Sequence, residues 1–242
     1  MNELISLEKC PVCGCFGKSP VGSFMSKPMV TLDFGYAVLP VAVLVKYDRC
    51  LSCGLIFQNP RMSDDSVGAY YSEGHYRKYM EGMDVDGDEM SRSIRIAKEL
   101  GRAPTRHLDI GCSRGYLLNA TREAFNCGIQ GVDENPGYAV EGIPVVDSLK
   151  LLVGDFDLIT MIHVLEHVTD PLETLTSLKP YLRKGGTLLI EVPSMTSKGG
   201  PWRLAHLYHF EPWVLHNLCK TAGYEVKNVR ISEHTQIEVT VA

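Results

Sequence analysis

The sequence predicts an α/β protein: a mostly parallel sheet of seven strands closing in an antiparallel hairpin, preceded by a small β module built around cysteines. Three observations predict it. From Arg106 onward, strand-like and helix-like segments alternate in the βα rhythm of a parallel sheet. At the far end two strand patterns, "YEVKNVRIS" and "QIEVTVA", follow one another with only "EHT" between them. At the near end four cysteines stand as two CxxC pairs among glycines, prolines and short apolar runs.

Texture divides the 242 residues into 1–60, 61–103 and 104–242. That length suits one full α/β domain and a small accessory module, and 45% hydrophobic residues suffice for a core. A net charge of −5 without a dense Lys/Arg run argues against a sequence-blind grip on nucleic acid. No stretch approaches the ~18 apolar residues of a membrane span. The most apolar run, "YAVLPVAVLV", is broken by Pro40 and reads as strand. The start "MNELISLEKC" lacks a basic region followed by an apolar one, so a cytoplasmic chain is expected, its eight cysteines held as thiols or metal ligands.

"CPVCG" and "CLSCG" place Cys10, Cys13, Cys50 and Cys53 in two knuckles. Each bends two thiolates toward one point, and the trailing Gly14 and Gly54 can take the positive φ such turns favour. Four thiolates suit zinc in a closed, structural role. The 36 residues between the knuckles exceed the ~15–20 of the common spacing, so strands within "PMVTLDFGYAVLPVAVLVKYD" are expected to project as a hairpin. A redox CxxC is the alternative, and the surrounding βαβ pattern it needs is missing. Cys15 is a spare able to compete with Cys13, while Cys112, Cys127 and Cys219 read as small buried residues. Between the outer regions, Tyr70, Tyr71, Tyr76 and Tyr79 fit either a lid that stacks on a ligand or an amphipathic helix packed on the domain.

In the third region, strands are expected at "RHLDI", "IQGVD", "IPVVD", "FDLITMI" and "GGTLLIEV", with helices at "GYLLNATREAFN" and "DPLETLTSLKPYL". "LDIGCSRG" is a glycine-bearing turn between strand and helix, where backbone can approach a ligand at the helix N-terminus. Asp133, ending the next strand in "GVDEN", is placed to hold two ribose hydroxyls. The G-x-G-x-x-G spacing of a nicotinamide site is absent. "HVLEH" matches the H-x-x-E-H zinc signature of a peptidase family. The preceding strand runs directly into His163, however, so Glu166 and His167 are expected on the helix behind it and the peptidase reading is rejected.

In order and spacing, "LDIGCSRG", "GVDEN", "FDLITMIHVLEHVTDP" and "LKPYLRKGGTLLIEVP" resemble the class I S-adenosylmethionine-dependent methyltransferases, over roughly Arg106 to Ala242. The resemblance implies a Rossmann-like sheet and S-adenosylmethionine as cofactor. It implies that Asp109 and Gly111 line the methionine end, with Asp109 near the ammonium, that Cys112 between them and the helix belongs to the cofactor site, and that Gly115 permits the close turn. Asp133 would take the ribose hydroxyls, Glu134 or Asn135 would flank the adenine, Asp147 would meet its amino group with Ser148 as its neighbour in the cofactor site, and His163 would stand beside the sulfonium. Ser113 departs from the glycine many members have there.

"DRCLSCGLIFQNPR" followed by "YYSEGHY" is similar to zinc-headed methyltransferases of sugar and polysaccharide modification. That likeness implies a catalytic base within "WRLAHLYHFEPWVL", with His206 the best match and His209 the second. Their flanking Trp202 and Trp213 suit stacking on a sugar or packing in the core. Sugar C-methyltransferases of this kind carry a further C-terminal domain. Here the sequence ends with its own sheet, so the expectation is O-methylation of a small hydroxylated acceptor, a sugar or sugar nucleotide. The rivals are C-methylation, an RNA or protein acceptor, and a non-catalytic cofactor-binding scaffold. His163, Glu166 and His167 could also join His206 or His209 around a second, divalent ion.

Overall fold

The computed structural model describes residues 4–25, 30–33, 38–41, 44–72, 85–195 and 205–241. Seven short strands come first: β1 (Leu4–Ile5), β2 (Lys18–Met25), β3 (Val30–Asp33), β4 (Val38–Val41), β5 (Leu44–Cys50), β6 (Ile56–Gln58) and β7 (Arg61–Met62). Two helices follow, α1 (Asp64–Ser72) and α2 (Val85–Glu99). Then come β8 (Arg106–Ile110), α3 (Tyr116–Phe125), β9 (Gly128–Val132), β10 (Val145–Val146), β11 (Phe156–Ile162) and α4 (Pro171–Leu178). The chain continues through β12 (Leu182–Pro193), β13 (Tyr208–His209), α5 (Pro212–Thr221), β14 (Glu225–Ile231) and β15 (His234–Thr240). Among the described residues no helix is long and apolar enough to cross a membrane.

The expected seven-stranded sheet is present, in the order β10-β9-β8-β11-β12-β15-β14. All pairings are parallel except those of β15, which runs antiparallel to β12 and β14. Strands covered on both faces carry near-continuous apolar runs, and "FDLITMI" of β11 is such a run. Along β12 the period of two sorts the side chains. Leu188, Ile190 and Val192 join the main core with Leu175 and Leu178 of α4. Leu189 packs on the opposite face with Ile96 of α2 and Leu117 of α3. Glu191 has the parity of Leu189, so its carboxylate is directed at α2.

The helix expected to open at Glu166 instead begins at Pro171. Asp170 supplies the cap, its Oδ1 accepting the Glu173 N–H at 2.8 Å, and Pro171 takes the first helical position, where a missing N–H costs nothing. Glu166 and His167 therefore lie in a turn, closed by the His167 N–H donating to Val164 O at 2.9 Å. His163 opens that turn with φ +55, a left-handed conformation uncommon for a residue with a side chain.

In the N-terminal region β3 and β4 form an antiparallel pair, the expected hairpin, its connecting residues 34–37 lying outside those described. A four-stranded sheet runs β13-β6-β5-β2. Its edge strand β13 comes from residues 208–209, with Tyr208 opposite Phe57 and His209 opposite Ile56. The cysteine region thus shares a sheet with the segment that carries the candidate base.

Candidate active site

β8 ends at Ile110, and the chain turns through Gly111 (φ +66), Ser113 (φ +49) and Gly115 (φ +77) into α3. At Gly111 only hydrogen fits: a Cβ there would stand 2.5 Å from Val164 Cγ2. Asp133, just past β9, organises the turn. Its Oδ2 accepts the Ser113 N–H at 2.8 Å and its Oδ1 accepts the Asn135 N–H at 2.9 Å. Asn135 is half-buried and Glu134 exposed beside it. The Asp133 N–H donates to Val146 O at 3.0 Å, bringing exposed Asp147 and half-buried Ser148 to the same rim. Cys112 is buried, as are Cys127 and Cys219.

Asp109 lies beneath the turn, 5% exposed, its Oδ1 accepting the Thr160 hydroxyl at 2.5 Å. Burial raises its carboxyl pKa to about 7, against the lowering effect of the Thr160 bond and with help from the Asp133 and Glu89 charges. His107, fully buried, bridges the Thr121 hydroxyl (Nδ1, 2.8 Å) and the Thr160 hydroxyl (Nε2, 2.7 Å). Burial lowers its pKa to about 3, so it is uncharged at neutral pH. Sequence reasoning missed Thr160, His107 and Thr121; a threonine inside the apolar "DLITMI" run is the available signal.

Across the turn stands a cluster of histidines and buried acids. His163 lies between two carboxylates, Nδ1 3.3 Å from Glu166 Oε1 and Nε2 3.4 Å from Glu191 Oε1. Burial opposes charge on this imidazole, but the two acids outweigh it and hold its pKa above the ordinary value. Glu191 also takes Arg95 Nη2 at 2.9 Å and the Gln236 amide at 2.5 Å, and the His234 ring meets His163 edge-on at 4.7 Å. Burial works against the Glu166 charge as well, yet the surrounding histidines, His163 first, bring its carboxyl down to about 2. Glu191 and His234 also escaped the sequence reading, although a lone acid within "LLIEVP" marks the former.

His206 and His209 are both buried. The Glu166 carbonyl accepts the Leu207 N–H at 2.8 Å, and the His206 carbonyl accepts Tyr47 Oη at 2.9 Å and Gln58 Nε2 at 2.8 Å. These bonds bring the His206 ring to 4.9 Å from that of His167. His209 sits 4.9 Å from the Tyr47 ring, and burial lowers its pKa to about 4. Tyr71 of α1 reaches His167 Nδ1 with its hydroxyl at 2.8 Å, and Tyr70 packs edge-on against Tyr71. Tyr76, Tyr79 and Trp202 lie outside the described residues.

Cys10, Cys13, Cys50 and Cys53 converge, with Cys10 Sγ 3.6 Å from Cys53 Sγ and Cys13 Sγ 3.5 Å from Cys50 Sγ. Four sulfurs at ~2.3 Å from a central zinc would stand about 3.8 Å apart, so the donor set fits. The two knuckles share one geometry: Gly14 (φ +71) donates to Cys10 O at 2.9 Å and Gly54 (φ +74) to Cys50 O at 3.0 Å. Cys15 turns its sulfur toward Gly17 O instead. Trp213 lies over Gly54, where a Cβ would fall 2.1 Å from the ring, and its Nε1 donates to Glu211 Oε2 at 2.9 Å. Glu211 in turn holds Arg49 through two hydrogen bonds, so this indole packs the second knuckle onto α5.

A parallel sheet with an antiparallel closing pair, a glycine turn and an acid after the second parallel strand together define a class I methyltransferase domain. The family model for a methyltransferase domain matches residues 76–229, more than half of the chain, which therefore belongs to that family. A tRNA U34 carboxymethyltransferase of Desulfotalea psychrophila is 29% identical over 128 residues, 46% of this chain and 40% of that protein. A ubiquinone biosynthesis O-methyltransferase of Aromatoleum aromaticum is 28% identical over 106 residues, 38% of this chain and 45% of that protein. The chain thus spans less than half the length of these relatives. Among solved structures, a SAM-dependent methyltransferase from Aquifex aeolicus aligns with a TM-score of 0.54 at 16% identity, over 64% of this chain and 98% of that one. Human N-acetylserotonin methyltransferase in complex with SAM also gives 0.54, at 19% identity, over 72% of this chain and 58% of that one.

Proposed function

We propose that this protein is an S-adenosylmethionine-dependent methyltransferase acting on a hydroxyl of a small acceptor, a sugar or sugar nucleotide, in the cytoplasm. The observation that carries the reading is the contact between the glycine turn and the histidine turn, since Gly111 is bare because Val164 lies against it. That contact sets a cofactor-type turn beside a buried cluster of proton acceptors.

The residues fit the cofactor: Gly111 and Gly115 give the turn its left-handed backbone, Asp133 offers a positioned carboxylate to ribose hydroxyls, and Asp109 offers one to an ammonium. Bound there, S-adenosylmethionine supplies a sulfonium methyl whose transfer to a hydroxyl leaves the bonding pair on sulfur and frees one proton. His206 is the residue assigned to take that proton, with Glu166 beside it to stabilise the charge gained. His209 is the weaker candidate, because burial lowers its basicity. The turn around His163 and the ordered 205–209 segment orient the acceptor, the main contribution asked of a protein in a displacement reaction. Zinc on the four cysteines is assigned a structural role, since all four positions are filled by protein.

Incubation of purified protein with labelled cofactor and a panel of sugar nucleotides tests the acceptor class. Transfer that withstands base, as an ether does, is expected; label found only in ester or carbon-bound product sinks O-methylation. The relatives named as tRNA enzymes favour an RNA acceptor as a second reading, which the net charge of −5 opposes.

A further inference from the structure

We propose that Glu166, His167 and His206 form a site for a divalent cation, separate from the four-cysteine cluster, on the acceptor side of the cofactor turn. The first observation is an unsatisfied carboxylate. Glu166 is 1% exposed, and among the described residues neither of its side-chain oxygens makes a hydrogen bond. Oε1 faces ring nitrogens at the looser distances of 3.3 Å (His163 Nδ1) and 3.7 Å (His167 Nε2). The neighbouring imidazoles keep this buried acid ionised, yet neither oxygen has a well-aligned donor, so its lone pairs are available to a cation.

The second observation is the orientation of His167. Its Nδ1 stands 2.7 Å from Ala205 O and 2.8 Å from the Tyr71 hydroxyl, and these two contacts fix the ring with Nε2 turned toward Glu166 Oε1. Nε2 and Oε1 are 3.7 Å apart, beyond a direct hydrogen bond and near the separation of two ligands on one ion with bonds of about 2.1 Å. A carbonyl fixing one ring nitrogen so that the other can ligate is the usual support of a metal-bound histidine. His206 completes the set, and the donor atoms of all three residues lie within 4.8 Å of one another.

The scaffold holds these donors in place. Leu207 N–H donates to Glu166 O, and Tyr47 and Gln58 donate to His206 O, so the backbone at two of the three ligands is tied by hydrogen bonds. Two imidazoles and one carboxylate suit a first-row divalent ion such as Mn2+ or Zn2+. Three protein ligands leave positions open for an acceptor hydroxyl oxygen, whose proton affinity the ion lowers. That role, though not the site itself, rests on the hydroxyl-methylation reading; in it His206 binds the ion in place of the base role given above, and the proton of the ion-bound hydroxyl passes to water.

The test uses the full chain with zinc in its cysteine cluster, titrated with Mn2+ alone, without cofactor or acceptor, and read by the EPR signal of free Mn2+. One bound Mn2+ per chain is expected, weakened at least tenfold in Glu166→Gln and in His206→Ala, each checked for fold by circular dichroism. No binding at millimolar Mn2+, or binding unchanged in both variants, overturns the site and leaves a proton between Glu166 and His167. Methyl transfer at full rate after this ion is stripped overturns its role. Mn2+ binding with no transfer to any hydroxylated acceptor instead keeps the site and sinks the reading of the reaction.

Discussion

Asp133 serves two masters: it satisfies the backbone of the glycine turn, and it is the acid assigned to the cofactor ribose. The Ser113 N–H it accepts belongs to a residue at φ +49, and the bond helps to hold that conformation. Asp133→Ala is therefore expected to weaken cofactor binding roughly ten- to a hundredfold, the loss of a hydrogen bond to a charged group. It is also expected to lower stability by about 1–3 kcal/mol through the orphaned N–H groups. Calorimetry with S-adenosylhomocysteine and urea denaturation read the two losses separately; unchanged affinity in a folded variant removes the ribose role. Asp109 makes a different prediction. Its pKa is raised by burial to about 7, so in the cofactor-free fold its neutral form dominates below that pH. The sign follows: the stability it permits is complete below its unfolded pKa and declines as pH rises through 7. An ammonium beside it favours the ionised form, so cofactor affinity is expected to fall as pH drops below about 7, by up to roughly tenfold per unit. Asp109→Asn should flatten that profile at a lower affinity, and a profile unchanged by this substitution refutes the assignment.

Between elements, the tightest constraint is the approach of the β8–α3 turn to the β11–α4 turn at Gly111 and Val164. An alanine at Gly111 adopts a left-handed backbone costing roughly 1–2 kcal/mol and drives its Cβ into the valine, an overpacking of about 1–3 kcal/mol. Gly111→Ala should thus lose a few kcal/mol in urea denaturation. Adding Val164→Ala should recover only the overpacking share, and full recovery or none contradicts this account. These elements also show what a sequence reveals. β8 is legible residue for residue as "RHLDI", because a short apolar strand feeding a glycine turn has few alternatives. The start of α4 is less so: the expectation took Glu166 as helical, whereas the Asp170–Pro171 cap, a stronger local signal, decides the boundary. β13 is two residues long and exists as a strand only because β6 pairs with it. Glu191 and Gln236 become partners through the β12–β15 register, which no local pattern encodes.

At the scale of the whole molecule, the cysteine cluster and the candidate base belong to one structural unit. The knuckle of Cys50 and Cys53 joins β5 to β6, β6 pairs with β13, and Tyr47 and Gln58 hold the His206 carbonyl. A second tie runs from Arg49 through Glu211 and Trp213 back to Gly54. The glycine turn and Asp133 are supported instead by β8, β9 and α3, none of which touches the knuckles through these bonds. Loss of the zinc proposed for the cysteine cluster, by chelation or Cys50→Ser, should therefore disorder the 205–209 segment while leaving the cofactor end in place. The expected outcome is hydrogen exchange rising at Leu207 and Gln58 but not at Leu108, turnover falling at least tenfold, and affinity for S-adenosylhomocysteine changing by less than about threefold, under 1 kcal/mol. If affinity and turnover fall together, the metal supports the entire fold; if turnover survives, the shared sheet does not position the base.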